Sequence, residues 1–146
     1  MDPYATHIAP LVGAALKARG PILELGCGDY STPVLAQIAA HLGVPFMVMS
    51  SDPVWSAKFK AVCTVQIVAD WTSVEFPAAD VVMLDNEQKT RDRIRLLPAL
   101  ARSSRVVVVH DLEQCEAHDH WKEMSAPFKS IEHHVVHSPG TGILSC

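Results

Sequence analysis

The chain has no apolar run long enough to cross a bilayer, which excludes a membrane-spanning helix. Its first residues, Met1-Asp2-Pro3-Tyr4, place no basic segment ahead of an apolar core, so a secretory signal is not expected and a cytoplasmic location is. Its four cysteines (Cys27, Cys63, Cys115, Cys146) stand far apart and form no CxxC pair. That argues against a disulfide framework and for reduced thiols, with Cys63 a small apolar residue of a strand. Charge is sparse, at 19% of residues, and its balance of −4 argues against a dedicated partner among nucleic acids or anionic membranes. No internal repeat, low-complexity tract or linker interrupts the sequence. With 146 residues, 49% of them hydrophobic, the expectation is one soluble domain over 1–146 with a single core.

What is present is an alternation of segments. Ile8, Leu11, Val12, Ala15 and Leu16 recur at helical spacing and predict a helix within 2–19, ended by Gly20-Pro21. Strands are expected at Ile22–Leu25, Phe46–Met49, Val62–Val68, Val81–Leu84 and Val106–Val109. A last pair, Ile131–Val136 and Gly142–Leu144, turns across Ser138-Pro139-Gly140. The expected helices are Thr32–Leu42 closed by Gly43, Pro53–Lys60 with proline in its first turn, Gln88–Ala101 carrying Pro98, and Leu112–Met124. Only about ten residues part the third strand from the fourth, near the minimum for a crossover, so a full helix is not expected there. The pattern predicts an α/β fold around a mostly parallel sheet with an antiparallel end.

In such a sheet, ligands bind outside the carboxyl ends of the strands. Glu24, Gly26, Gly28 and Ser31 stand at the first strand end, and Ser50, Ser51 and Asp52 at the second. Asp70 and Trp71 follow the third, Asp85 and Asn86 the fourth, and His110 and Asp111 the fifth. A purely structural domain has no need to gather carboxylates along one edge, so the clustering marks a site. The turn Gly26-Cys27-Gly28 suits a nucleotide-like ligand. A dinucleotide needs a third glycine so that its pyrophosphate can approach the helix N-terminus; Ser31 stands there instead, and Asp29 would repel phosphates. S-adenosylmethionine carries no phosphate. Acids suit its ammonium and sulfonium groups, and glycine N–H groups suit its carboxylate.

Leu23-Glu24-Leu25-Gly26-Cys27-Gly28 followed by Ser31-Thr32 resembles the first motif of class I S-adenosylmethionine-dependent methyltransferases, above all a subgroup with a Ser-Thr pair after the glycines. Asp52-Pro53-Val54-Trp55, Ala79–Asp85 with Arg91, Val106–Asp111 and Thr141–Leu144 resemble later stretches of the same subgroup, in order. The resemblance covers the chain from about residue 21 onward. It implies a three-layer, Rossmann-like fold with seven strands, S-adenosylmethionine as cofactor, and methyl transfer to an oxygen or nitrogen acceptor, a small molecule or an exposed group. It implies cofactor contacts from Glu24, Gly26, Cys27, Gly28, Ser31, Thr32, Ser50, Ser51, Asp52, Asp70, Trp71 and Asp85. Within that set Glu24 would brace the loop, Ser31 and Thr32 would cap the helix, Asp70 and Trp71 would flank adenine, and Asp85 would line the reacting methyl. Catalysis would fall to His110, Asp85 and Asp111, with His110 as the base because an imidazole titrates near neutrality. In related O-methyltransferases carboxylates at these strand ends hold a divalent cation. Asp85 and Asp111 would suit magnesium, though a metal is not the expectation and no metal ligand is assigned. The sequence lacks the Asn-Pro-Pro-Tyr motif that marks amino acceptors in related enzymes, which leans the acceptor toward oxygen. It departs from the subgroup at Ser50, where an acid usually binds ribose, and at Ser103-Ser104-Arg105, where Pro-Gly-Gly is usual.

Other readings compete. The glycines could serve only a tight turn, Asp52 and Asp111 could be helix caps, and His110 could simply pack at the sheet edge. The chain could bind S-adenosylmethionine without transferring methyl, which Ser50 favours, or be an NAD-dependent oxidoreductase, which the missing glycine disfavours. His118, His120, His133, His134 and His137 lack zinc-ligand spacing. Lys89, Arg91, Arg93, Arg95, Arg102 and Arg105 read as a solvated helix face, with Arg91 the one closest to Asp85 in sequence. Trp55 and Trp121 read as packing residues, and Tyr4 and His7 as structural residues of the first helix. Little chain is left for a lid, so a second subunit or a larger acceptor would have to cover the site.

Overall fold

The computed structural model describes residues 5–86, 89–135 and 139–146, and only the backbone of 89–91. Tyr4, Gln88, Val136, His137 and Ser138 lie outside the described residues, as do the side chains of Lys89 and Arg91. The chain runs α1 (Ile8–Ala15), β1 (Ile22–Leu25), α2 (Ser31–Leu42), β2 (Phe46–Ser50), α3 (Pro53–Ser56) with a 3-10 turn (Ala57–Phe59), and β3 (Val65–Ile67). A second 3-10 turn (Trp71–Ser73) precedes β4 (Ala79–Leu84), followed by α4 (Lys89–Ser103), β5 (Ser104–His110), α5 (Leu112–Glu116), α6 (Trp121–Ser125), β6 (Ser130–His134) and β7 (Thr141–Ser145).

One seven-stranded sheet has the order β3-β2-β1-β4-β5-β7-β6. The first five strands pair in parallel, and β7 runs antiparallel to both β5 and β6. Direction reverses in strand order between β1 and β4, so their carboxyl ends open a crevice. The α/β architecture predicted from the alternating pattern is what forms.

Side-chain alternation divides the core. Leu23, Leu25, Val82, Leu84, Val107 and Val109 face α4, α5 and α6, meeting Leu96, Leu97, Leu100, Cys115 and Met124. Ile22, Val81, Met83, Val106 and Val108 face α1 and α2, meeting Leu11, Ala15, Leu35 and Ile38. Gly43 closes α2 in the left-handed conformation, φ 67°. No helix among the described residues is long and apolar enough to cross a membrane.

Several expected boundaries move. The first helix is shorter than 2–19: it begins at Ile8 and ends at Ala15, before a turn in which Lys17 and Ala18 donate to Ala14 and Ala15. The strand expected at Val62–Val68 reduces to Val65–Ile67, and Cys63 is half-buried in the turn before it. The helix expected at Leu112–Met124 breaks into α5 and α6. At the break the His118 ring accepts from the backbone N–H of His120 at 3.2 Å, a side-chain bond that competes with the helical ladder. The β3–β4 link holds only the Trp71–Ser73 turn, as its length foretold. Where Pro-Gly-Gly is missing, α4 passes straight into β5, and the hydroxyl of Ser104 donates to the carbonyl of Leu100 and so satisfies one of the helix's last acceptors.

Candidate functional site

The glycine turn is built from both neighbours of β1. Gly26 donates to the carbonyl of Met49 at 2.8 Å, and Asp85 donates to that of Leu25 at 2.9 Å. Gly26 has φ +90°, and a Cβ there would lie 2.2 Å from the Asp85 carbonyl oxygen. Only glycine satisfies both conditions. A Cβ on Gly28 would meet the Ser31 hydroxyl at 2.9 Å. The turn is pinned by Trp55, whose Nε1 donates to the Cys27 carbonyl at 2.8 Å, while Lys58 lies 3.3 Å over the indole and 3.8 Å from Asp29.

Glu24 is fully buried beneath this turn. The Ser31 hydroxyl donates to one of its oxygens, and that of Thr32 donates to the other at 2.7 Å; the N–H of Gly28 donates to Thr32 Oγ1 at 2.9 Å. Burial pushes the Glu24 carboxyl up to about 8, against the pull of the two hydroxyls. Ser31 and Thr32 therefore brace Glu24, and Ser31 does not cap α2, whose N-cap residue is Tyr30, with no capping bond from its side chain.

Along the other strand ends, Ser50 is fully buried and its hydroxyl accepts from the N–H of Asp52 at 3.3 Å. Asp52 caps α3, with Oδ1 accepting from Val54 and Trp55 at 2.8 Å each. Ser51 is half-buried beside them. Asp70 is exposed and accepts from the backbone and hydroxyl of Thr72, bonds that hold its carboxyl below the ordinary range. Trp71 does not stand open beside it: the ring is 4% exposed and packs into the core with Met49 and Val68. Cys27 is buried, and burial raises its thiol pKa.

The ends of β4 and β5 hold a tighter group. His110 continues the Val106, Val108 face toward α1, and Thr141 stands opposite it in register. His110 Nδ1 lies 3.2 Å from Asp85 Oδ2 and 4.0 Å from Asp111. The ring of His7, just before α1, sits 4.5 Å from that of His110 at 59°. Thr6 anchors this approach by donating to the Pro139 carbonyl at 2.8 Å. Arg93 comes from α4, 1% exposed, donating to the His110 carbonyl at 2.6 Å and to Asn86 Oδ1 at 3.2 Å, with its other amino group 3.8 Å from Asp85. Burial drives the Asp85 carboxyl upward, but the hydrogen bond from His110 and the charges of His110 and Arg93 outweigh it, and the net shift is down. For His110, burial lowers the pKa while Asp85 and Asp111 raise it further, so the net shift is up. His7 has no such bonded partner, and burial, aided by His110, lowers it to about 4. Asp111 takes the left-handed conformation, φ 56° and ψ 43°, and makes no side-chain cap to α5. It is the one non-glycine residue with positive φ among those described.

No family model and no curated protein sequence matches this chain. Among solved structures, the cofactor-bound protein Rv0187 from Mycobacterium tuberculosis is similar with a TM-score of 0.66 and 16% identity, over 99% of this chain and 80% of that one. A Staphylococcus aureus protein provisionally assigned as a caffeoyl-CoA O-methyltransferase gives 0.66 and 11%, over 100% and 85%. The Thermus thermophilus 16S rRNA N2 G1207 methyltransferase, solved with AdoMet and guanosine, gives 0.57 and 15%, over 93% of this chain and 38% of that one. The fold is that of the S-adenosylmethionine-dependent methyltransferases.

Within this methyltransferase fold, the structure brings Asp85, His110 and Asp111 together and places Glu24, Gly26, Gly28, Ser31 and Thr32 in one braced turn. It commits Asp52 to a cap and Trp71 to the core. From sequence His7 reads as a structural residue and Arg93 as part of a solvated helix face, whereas the structure buries both beside His110. Their signal was spacing: Arg93 stands in helical phase with Leu96, Leu97 and Leu100, and His7 with Leu11 and Ala14, so each lies on a buried face. A cavity of about 180 Å³ lies elsewhere, beside the short β3–β4 link, lined by Leu23, Met47, Met49, Gln66 and Pro77 among others.

Proposed function

We propose that this chain binds S-adenosylmethionine at the Gly26–Gly28 turn and transfers its methyl group to an acceptor, an oxygen in preference to a nitrogen, at the ends of β4 and β5. The observation that carries the reading is the seam between β1 and β4, where the side-chain-free turn at Gly26 touches the backbone of Asp85, whose carboxylate meets His110. The residues present fit the cofactor. Gly26 lets the backbone of the turn meet that of Asp85, Asn86 beside it holds a buried Nδ2 with no hydrogen-bond partner among the described residues, and Asp70 offers an exposed carboxylate to an amino group.

When bound, the cofactor supplies a methyl group on a positively charged sulfur, a leaving system that needs little activation. The chain's task is then alignment and removal of the acceptor's proton. Asp85 at His110 Nδ1 orients the imidazole, and the Thr6 hydroxyl, 3.4 Å from Nε2, would have to give way for that nitrogen to take the acceptor's proton. Arg93 holds the end of β5 through the His110 carbonyl. Asp111 adds a second negative charge that favours the imidazolium once formed.

Binding without turnover is favoured by one observation: Ser50 carries no carboxylate, and Asp52 gives one of its two oxygens to the α3 cap, so the acid expected against ribose is missing at 50 and half engaged at 52. A dinucleotide is disfavoured because Ser31, at the third-glycine place, is tied to Glu24. Calorimetry with S-adenosylmethionine and with NADH tests the choice. Heat with NADH alone would overturn the reading. Binding of the sulfonium cofactor with no label transferred to any acceptor in a radiolabel screen would favour the non-catalytic module.

A further inference from the structure

We infer that His7, Asp85 and His110 form a binding site for a borderline divalent cation of the zinc class, with one position left open. One ligating atom from each lies within 4.8 Å of the other two. A four-coordinate cation with bonds of about 2 Å holds its ligands about 3.3 Å apart. His110 Nδ1 and Asp85 Oδ2 already stand at 3.2 Å.

The second observation is independent of that spacing. His7 is 3% exposed, yet neither of its ring nitrogens has a hydrogen-bond partner among the described residues. Leaving a buried polar group unmet is costly, and native interiors rarely tolerate it. His7 is not alone: among the described residues Asn86 Nδ2, the Arg93 amino group 3.8 Å from Asp85, and Thr141 Oγ1 are likewise buried without a hydrogen-bond partner. A cation meets a nitrogen of His7 directly, and a water or substrate oxygen in its open position serves the donors around it.

The donor set chooses the ion. Two imidazoles and one carboxylate suit zinc, cobalt or iron, while magnesium takes oxygen ligands. Asp85 and Asp111 are negative and Arg93 is positive, so the group carries a net negative charge before a cation arrives. What the ion would do rests on the methyl-transfer reading. The acceptor oxygen would take the open position and release its proton to water in place of His110. The bond from oxygen to methyl would then form as the sulfur–methyl bond breaks, its electron pair staying on sulfur.

The full chain, stripped of metal by chelator and dialysed, is titrated with cobalt(II) and read by visible absorption. One equivalent should give the intense bands of a four-coordinate ion, displaced by zinc and not by magnesium. His7→Phe, which keeps a ring against His110, and Asp85→Asn should each weaken binding about 100-fold or more. His120→Ala, on an exposed residue, should leave it unchanged. Absent bands, binding indifferent to His7→Phe in a folded variant, or displacement by magnesium would each overturn the site. Calorimetry of the metal-free chain with S-adenosylmethionine is read separately. Cofactor binding there with no cobalt signal defeats the metal site alone, and a cobalt signal without cofactor binding defeats the methyl-transfer reading alone.

Discussion

Gly26 and Asp85 are in contact through backbone alone: a β-carbon on Gly26 would lie 2.2 Å from the Asp85 carbonyl oxygen. The bare turn is therefore required by the seam between β1 and β4 before any ligand arrives. Gly26→Ala should cost about 2–5 kcal/mol, from left-handed backbone and overpacking together. Gly28→Ala, whose β-carbon meets only the Ser31 hydroxyl, should cost less than about 2 kcal/mol. Urea midpoints of the two variants decide it, and equal losses would refute the contact.

Glu24 predicts a pH dependence. The unfolded chain releases this proton near 4.5, and the folded chain holds it to about 8. Its contribution is whole below pH 4.5 and is lost as pH rises through 8, because the folded state then buries a charge. Glu24→Gln removes that slope. The stability gap between wild type and variant should move in the variant's favour by at least about 1 kcal/mol from pH 5 to pH 8.5. Denaturation curves at the two pH values measure it, and parallel behaviour would show that Glu24 does not titrate in this window.

Arg93→Met keeps the bulk and removes the guanidinium. The His110 carbonyl and Asn86 Oδ1 lose their donors, at an expected cost of about 2–4 kcal/mol. Methyl transfer should fall at the same time, while S-adenosylmethionine affinity, proposed above to arise at the β1 turn, should change less than about threefold. Calorimetry on the folded variant checks this; a large loss of affinity would mean the two halves of the site are one unit.

Asp111 sits in a conformation that glycine accepts freely. Asp111→Gly should leave stability unchanged or raise it by up to about 1 kcal/mol, and Asp111→Ala should lower it by a similar amount. Turnover should drop in both. A stable and fully active Asp111→Gly would assign the residue to the turn and remove it from the chemistry.

The layered fold was legible because strand and helix periods are written in the order of residues. Ile22–Leu25, Ser31–Leu42 and Val106–Val109 needed no distant information. The arrangement of the candidate site was half legible. Asp85 and His110 announced themselves by standing after apolar strands. His7 and Arg93 did not, because what matters about them is the buried face they share with leucines, and a polar residue on an apolar face looks like a lapse in a pattern until its partner is known. The split of Leu112–Met124 was hidden for a related reason: it turns on a histidine bonding to nearby backbone, and propensity scales average such bonds away.

The place of β7 sets an order of events during synthesis. Among the described residues its sheet neighbours are β5 and β6, and β6 pairs with it alone, so neither flank of that half-sheet can close until Thr141–Ser145 has left the ribosome. Thr141 is also the residue that seals the strand beside His110. The nascent chain can thus assemble the β1–β4 turn early, while the end of β5 at His110 gains its second sheet neighbour only with Thr141–Ser145.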